Sequence, residues 1–391
     1  MRILLVTITL GLGGSERQLA LLARELHRRQ VQVRVFALEA EGPWLDRLRQ
    51  WGVPVTNGRF GTGGGMRAVR FLRLAHTALR LAATILWFRP AIVHAYLPLA
   101  NFVASVVGTA LRVPGVIISR RGLGTYRDAY PAWNRFDRVA YRLSDFTICN
   151  SNAVLEDSVR RDQLGREKYR VIYNGIESLG HPHPARLRDE IRTRIGLRDQ
   201  DTALVKVANL IPYKGHEELL TAFQSVARVH PNARLVLAGE DRDNWKQQLE
   251  HLTEDLGISD KVLFLGRWED IPALLRAMDI SVVSSREEGF SNALLEALEG
   301  GLPVVATDVG GNREALEDGR FGLLVPSRDT PALAEGMNTM IANLEHWRKV
   351  ASQAPDRVRE RYSIEAMVSA HLKLYASAAG TAAGPTPSSV K

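Results

Sequence analysis

A chain of 391 residues, 45% hydrophobic and 24% charged, is longer than an ordinary domain of roughly 100 to 200 residues, and its composition excludes a disordered or wholly membrane-embedded polymer. Two folded domains are expected, and a formal charge of +8 calls for an anionic partner: a phosphorylated small molecule, a lipid surface or nucleic acid. No zinc-finger spacing, aromatic RNP box or dense Lys/Arg block occurs, so nucleic acid is set aside, and the single Cys149 excludes an intramolecular disulfide and agrees with a reducing compartment.

The opening MRILLVTITLGLGG reads as a buried first strand rather than a secretory leader, because its apolar run breaks into glycines and a helix instead of a small-residue cleavage site. No stretch reaches the roughly 20 apolar residues of a membrane-spanning helix, and the expected location is the cytoplasm, with a membrane surface within reach. Gly11, Gly13 and Gly14 lead into a helical stretch, Ser15 to Arg29. Such a glycine turn suits a phosphate, through exposed N–H groups and the helix dipole; it equally suits a tight strand-to-helix turn with no ligand.

Apolar runs then alternate with helical periods: ILLVTI, VQVRVFAL, AIVHAYL, GVIIS, FTICNS and YRVIYNGI as strands, with helices such as Met66 to Phe88, Asn101 to Arg112 and Pro131 to Leu143. The pattern predicts a parallel, doubly wound α/β sheet covered on both faces. The stretch 66–89 interleaves Arg67, Arg70, Arg73, Arg80 and Arg89 with Phe71, Leu72, Leu79, Leu86 and Trp87. It reads either as a helix lying on an anionic membrane or as a sheet-covering helix with a charged outer face. His94 in VHAYLPLAN is either a site residue or a satisfied structural histidine.

The segment ESLGHPHPARLRDE carries two prolines, two histidines and no apolar run, and is read as a linker. Alternation restarts with ALVKVAN, ARLVLAG, KVLFLG, ISVVSS, PVVATD and GLLVPS. Two open sheets joined this way are expected to bind ligand outside the carboxyl ends of their strands, in a cleft between domains. The boundaries expected are 1–180, 181–362, a helix at 363–377 returning to the first domain, and a disordered tail at 378–391.

In VANLIPYKGHEELLTAF, Lys214 stands before a glycine at a helix opening; it is either a point charge for a diphosphate or a solvated loop lysine. EEGFSNALLEALEGG puts Glu288 and Gly289 after a strand, Ser291 at the N-cap position, and Glu296 in a polar stripe with Asn292, Glu299 and Gly300. By period alone that stripe faces solvent. At the strand end, however, two carboxylates one helix opening apart can accept hydrogen bonds from sugar and ribose hydroxyls. Two DxD triplets, Asp199 to Asp201 and Asp241 to Asp243, read as surface loops, and no His/Cys/Glu cluster has metal-ligand spacing.

EGFSNALLE resembles the E-x7-E signature of glycosyltransferase family 4, retaining enzymes of the GT-B fold, two Rossmann-like domains facing across a cleft. GGSERQLALLARELHRR, TICNSNAV, VIYNGIE, YKGHEELLTAF, VLFLGRWEDIPALLRAMDISVVSSREEGF and GGLPVVATDVGGNREAL resemble family segments in the expected order, over residues 1 to about 376. The resemblance implies transfer of a sugar from a UDP- or GDP-sugar to a glycan or lipid-linked acceptor in cell-envelope or exopolysaccharide synthesis, with no metal or other cofactor. It implies that Glu288 faces the transferred sugar and that Glu296 takes the ribose hydroxyls. Backbone amides around Phe290, Ser291 and Asn292 hold the diphosphate with Lys214, Gly13 and Gly14 approach from the first domain, and Arg267 and Trp268 border the base. Two departures stand out: Asn209 replaces a usual arginine, and Arg121, beside Arg120, stands at or near the place of a usual first-domain histidine. Rival readings are a GT-B sugar-nucleotide 2-epimerase and a non-catalytic nucleotide-sugar-binding subunit.

Overall fold

The computed structural model describes residues 1–61, 67–178, 185–241 and 244–380. The chain forms two compact units, one from Met1–Gly175 together with the stretch beginning at Ile364, the other from Ile176–Ser363.

In the first unit, strands β1 (Arg2–Thr7), β2 (Gln32–Ala37), β3 (Val55–Asn57), β4 (Ile92–Tyr96), β5 (Gly115–Arg120), β6 (Phe146–Cys149) and β7 (Tyr169–Val171) form one sheet of order β3-β2-β1-β4-β5-β6-β7. Every pairing is parallel. β4 and β5 are buried at every position, which is why they read as unbroken apolar runs: helices cover both faces. Alternate residues of β1 serve opposite cores. Ile3 and Leu5 meet Leu19, Leu22 and Leu26 of helix Gly14–Arg28 together with Val368 and Tyr375 of helix Ile364–Ala378. Leu4 and Val6 meet Leu81 and Ile85 of helix Arg67–Phe88 and Val103 of helix Pro98–Ala110.

His94 sits inside β4 with no exposed surface. Its Nδ1 lies 2.6 Å from the Tyr375 hydroxyl and its Nε2 2.8 Å from Ser119 Oγ. Burial, with His371 and Arg121 nearby, holds its pKa well below the usual histidine value. It is a structural histidine binding the C-terminal helix to the sheet.

The second unit repeats the plan with β8 (Thr202–Val207), β9 (Ala233–Ala238), β10 (Val262–Gly266), β11 (Ile280–Val283), β12 (Val304–Thr307) and β13 (Leu323–Val325), in the order β10-β9-β8-β11-β12-β13 and again all parallel. Strand order reverses between β1 and β4 in the first sheet and between β8 and β11 in the second. At such a reversal the connecting loops diverge and leave a crevice beyond the strand ends.

Two expectations need correction, and one strand was not expected. The second half of the expected linker is a helix of the second unit, Ala185–Arg194, while residues 179–184 lie outside the described residues. Hydropathy misses it because charge holds it: Arg188 and the buried Arg192 both reach Asp279, at 2.8 and 3.3 Å. The three-residue edge strand β3 is also too short to carry a period. Finally, Val69–Phe88 is, by length and composition, a helix sufficient to cross a membrane, and most of it is not buried. Thr77, Leu81, Thr84 and Ile85 face the core, whereas Phe71, Leu72, Leu79, Leu86 and Trp87 on the other side are each more than 60% exposed. Met66 and the tail 381–391 lie outside the described residues.

Candidate active site

The polar residues of the second unit collect where its strand order reverses. After β8 the chain passes Asn209, makes a short 3-10 turn at Pro212–Lys214, and enters helix His216–Val229 through Gly215. After β11 it runs through Ser284, Ser285 and Glu288 into helix Asn292–Glu299. The two loops meet at an ion pair, Lys214 Nζ to Glu288 Oε1, 2.7 Å. Ser285 Oγ donates to the same carboxylate oxygen at 2.8 Å.

Two glycines let these loops approach. Gly215 has φ +68°, and a Cβ there would stand 1.9 Å from the Ser284 carbonyl oxygen; Gly310 has φ +52°, and its Cβ would stand 1.8 Å from that of Glu288. Any side chain at either place is strained in backbone and collides with main chain as well. Behind them Thr307 Oγ1 donates to the Ser285 carbonyl at 2.6 Å, and Asn312 Nδ2 to the Thr307 carbonyl at 3.0 Å. The Glu288 loop is therefore fixed by its neighbours.

Beneath the ion pair lies Lys206, a residue the sequence reading passed over. It sits in central strand β8 with 2% of its surface exposed and donates to Ser284 Oγ at 3.0 Å. Burial, and then repulsion from Lys214, bring its pKa down to about 7, with Glu288 and Glu218 opposing. Burial also pulls on Lys214, but there the adjacent Glu288 outweighs it and raises the ammonium above the usual lysine range. A lysine in ALVKVAN was a usable signal: a central parallel strand is covered on both faces, so any charge on it is buried.

Ser291 caps helix Asn292–Glu299, its hydroxyl accepting from the Leu294 N–H at 3.4 Å. Phe290 is buried edge-on to Tyr362, with ring centroids 5.1 Å apart. The solvent-facing reading of the polar stripe fails, because Glu296 and Glu299 are both buried. Helix Ala354–Tyr362 covers that side, and Arg359 Nε reaches Glu299 at 2.8 Å while Ser178 Oγ donates to the same oxygen at 3.2 Å. Glu299 thus has a structural role. Glu296, one turn nearer the helix mouth, is a buried carboxylate on the same helix.

Asn209 Oδ1 accepts from the Glu240 N–H at 3.3 Å, tying two strand-end loops. Arg267 is exposed and Trp268 half-buried after edge strand β10, two strands from β8, with the Arg194 guanidinium 4.2 Å above the indole. Gly13 and Gly14 belong to the first unit; neither has a positive φ, and a Cβ on Gly13 would meet the carboxylate of Glu16. A left-handed turn is not what those glycines supply. Asp201 accepts from the Arg198 N–H before β8, at the opposite strand end from the site. Asp241 accepts from the Lys246 N–H, and residues 242 and 243 lie outside the described residues. Among the described residues no three His, Cys, Asp or Glu side chains group to hold a metal.

Arg120 is buried and Arg121 is partly withdrawn from solvent. Arg120 ends β5 with 8% of its surface exposed, 2.7 Å from Asp162, and Arg121 donates through Nη2 to Asn174 Oδ1 and lies over the Tyr96 ring. Both line a cavity of the first unit, with Arg127.

The chain matches known proteins along most of its length. The family model Glycosyltransferase Family 4 matches residues 12–178, and Glycosyl transferases group 1 matches residues 188–357. The chain is 30% identical over 270 residues to the putative glycosyltransferase EpsD of Bacillus subtilis, covering 67% of this chain and 70% of that one. It is 30% identical over 244 residues to the lipopolysaccharide core biosynthesis glycosyltransferase LpsE of Rhizobium meliloti, covering 61% and 67% respectively. Among solved structures, Anabaena HepE in complex with UDP-glucose superposes with a TM-score of 0.85 at 23% identity, over 96% of this chain and all of the other. The chain belongs to glycosyltransferase family 4 and has the α/β GT-B fold of that family, whose relatives include cell-envelope and polysaccharide enzymes.

Proposed function

We propose that this glycosyltransferase is a retaining, metal-independent hexosyltransferase that takes a sugar from a UDP- or GDP-sugar and passes it to a glycan or lipid-linked acceptor in cell-envelope or exopolysaccharide synthesis. The observation that carries the reading is the Lys214–Glu288 pair at the strand reversal of the second sheet, beside the N-terminus of helix Asn292–Glu299. The first N–H groups of a helix lack intrahelical acceptors, and its dipole favours an anion there. Lys214 adds a charge at the same place. In this role Lys214 and the amides around Gly289, Phe290, Ser291 and Asn292 hold the diphosphate, and they supply the positive charge that a metal would otherwise bring. Preorganised charge of this kind stabilises a departing diphosphate without reorganisation during the reaction. Glu288 then faces the sugar and Glu296 the ribose.

The donor class is supported by HepE, which was solved with UDP-glucose, and the setting by LpsE, whose name places it in lipopolysaccharide core synthesis. The decisive experiment incubates the protein with a panel of UDP- and GDP-sugars, with and without glycan and lipid-linked acceptors, and follows free nucleoside diphosphate, the remaining sugar and the anomeric configuration of product. Acceptor-dependent release with retained configuration is expected. A changed sugar without release would make the chain an epimerase, and neither change would make it a binding subunit.

The same proposal places the chain in the cytoplasm, resting on an anionic bilayer through helix Arg67–Phe88. Support comes from the exposed apolar row of Phe71, Leu72, Leu79, Leu86 and Trp87, beside Arg70, Arg73 and Arg80 on a helix with no acidic residue. Leu79→Glu with Trp87→Glu should abolish co-sedimentation with vesicles containing anionic lipid. Binding that is unchanged in this variant, or equal on neutral vesicles, would remove the membrane role.

A further inference from the structure

The first unit holds a cavity of about 310 Å³, within the range of ligand pockets and too large for a lone ion. It lies at that unit's own strand reversal. Ser15, in the first turn of helix Gly14–Arg28, reaches it from β1; Leu97, Pro98 and Asn101, opening helix Pro98–Ala110, reach it from β4; Ser119 to Gly124 reach it from β5. Two long helices thus start at one cavity, and each brings the positive end of its dipole.

The side chains there do not balance in charge. Arg127 pairs with Asp137 at 2.7 Å and with Asp162 at 2.6 Å, and Asp162 is shared with Arg120 at 2.7 Å. Two carboxylates serve two arginines. Among the described residues Arg121, the third, has no carboxylate partner: its bonds are to neutral Asn174 and the Tyr96 ring, and its Nε and Nη1 are buried without a hydrogen-bond partner. Arg120, although more than nine-tenths buried, likewise leaves Nη1 unpartnered. A buried guanidinium without a counter-ion costs stability, and burial lowers the Arg121 pKa accordingly. An oxyanion in the cavity would supply what is missing.

We propose that this cavity binds an oxyanion group, phosphate or carboxylate, carried by the acceptor substrate. The assignment rests on the transferase reading above and names a property of the acceptor: it is an acidic molecule, and its charge is read by Arg120 and Arg121. Gly122 borders the cavity, and a Cβ there would meet nothing within 4 Å, so the pocket has room beside the arginines for the rest of the molecule.

The test is isothermal titration of the full chain with inorganic phosphate and, separately, malonate, for wild type, Arg121→Met, Gly122→Asp and Gly122→Ala. Wild type and Gly122→Ala should bind, and Arg121→Met and Gly122→Asp should each bind at least about tenfold more weakly, through loss of a charge-assisted contact or gain of a competing carboxylate. Gly122 has no positive φ, so its variants keep the fold even if Arg121→Met does not. Tighter phosphate assigns a phosphorylated acceptor and tighter malonate a carboxylated one. No binding to wild type, or equal binding to wild type and Gly122→Asp, overturns the site. UDP is titrated separately into the same proteins, so a failure of the donor reading shows independently of the anion result.

Discussion

The two units use one topology to make two crevices of different electrical character. In the second, the exposed-side cation Lys214 is matched by Glu288, and a further amine, Lys206, lies buried below with its charge suppressed. In the first, Asp162 bridges Arg120 and Arg127, and Arg121 is left over. The fold decides where a ligand can sit, since both crevices fall at a strand reversal. The side chains decide what sits there. A matched pair is settled while empty and would have to exchange partners for the diphosphate proposed to bind there, whereas an unmatched guanidinium is what the proposed acceptor anion would satisfy.

That contrast can be broken most directly at the buried arginines. Arg127→Met takes a guanidinium from the buried Asp137 and leaves Asp162 to Arg120 and Tyr169, and should cost about 3 to 5 kcal/mol, measured by denaturant unfolding. Arg121→Met strands no carboxylate, so its cost should be far smaller; equal losses would show that Arg121 is as well compensated as Arg127. Next, Lys214→Ala removes the cation that pairs with Glu288 and is proposed to hold the diphosphate, and turnover read by nucleoside diphosphate release should fall about 10²- to 10³-fold. A loss under tenfold would mean that charge at this crevice is not used in the reaction.

The glutamates sharpen the picture within one crevice. Glu296→Ala should weaken donor binding by on the order of 1.5 to 3 kcal/mol, the worth of hydrogen bonds to a charged group. Glu288→Ala should lower kcat with little change in KM, if its contact strengthens in the transition state. Kinetics of the two variants in parallel check both roles, and identical profiles would dissolve the distinction. The smallest effect concerns Lys206. Its ammonium titrates at about 7 when folded against an ordinary value of 10.5, so between these values the unfolded chain binds more protons and folding stability rises with pH. Below about pH 7 the whole burial cost is present. Lys206→Met removes that cost, so the variant should exceed wild type in stability by more at pH 7 than at pH 9, the gap being on the order of 2 kcal/mol. A gap of opposite sign would mean that Lys206 is held charged in the fold.

Much of this was legible in the chain because parallel sheets write themselves as apolar runs. β1, β4, β5, β8 and β11 all coincide with runs that hydropathy alone picks out. Ser291 was readable as a cap because a hydroxyl before a helical period has one obvious acceptor role. The burial of Glu296 was not readable, since helix Ala354–Tyr362, which covers that face, comes almost sixty residues later. Helix Ala185–Arg194 escaped because its anchor, Asp279, is likewise distant in sequence. The reach of the Arg120–Asp162–Arg127 network escaped for the same reason: ion pairs leave no period.

Helix Ile364–Ala378 fills the core of the first unit with Val368 and Tyr375, yet a ribosome delivers these residues only after the entire second unit has emerged. The earliest-made part of the protein must therefore wait, with a hydrophobic slot open beside β1 and His94, until translation is nearly finished. A message truncated ahead of codon 364 would yield a whole second unit tethered to an incomplete first one, and that first unit would be a client for chaperones and proteases.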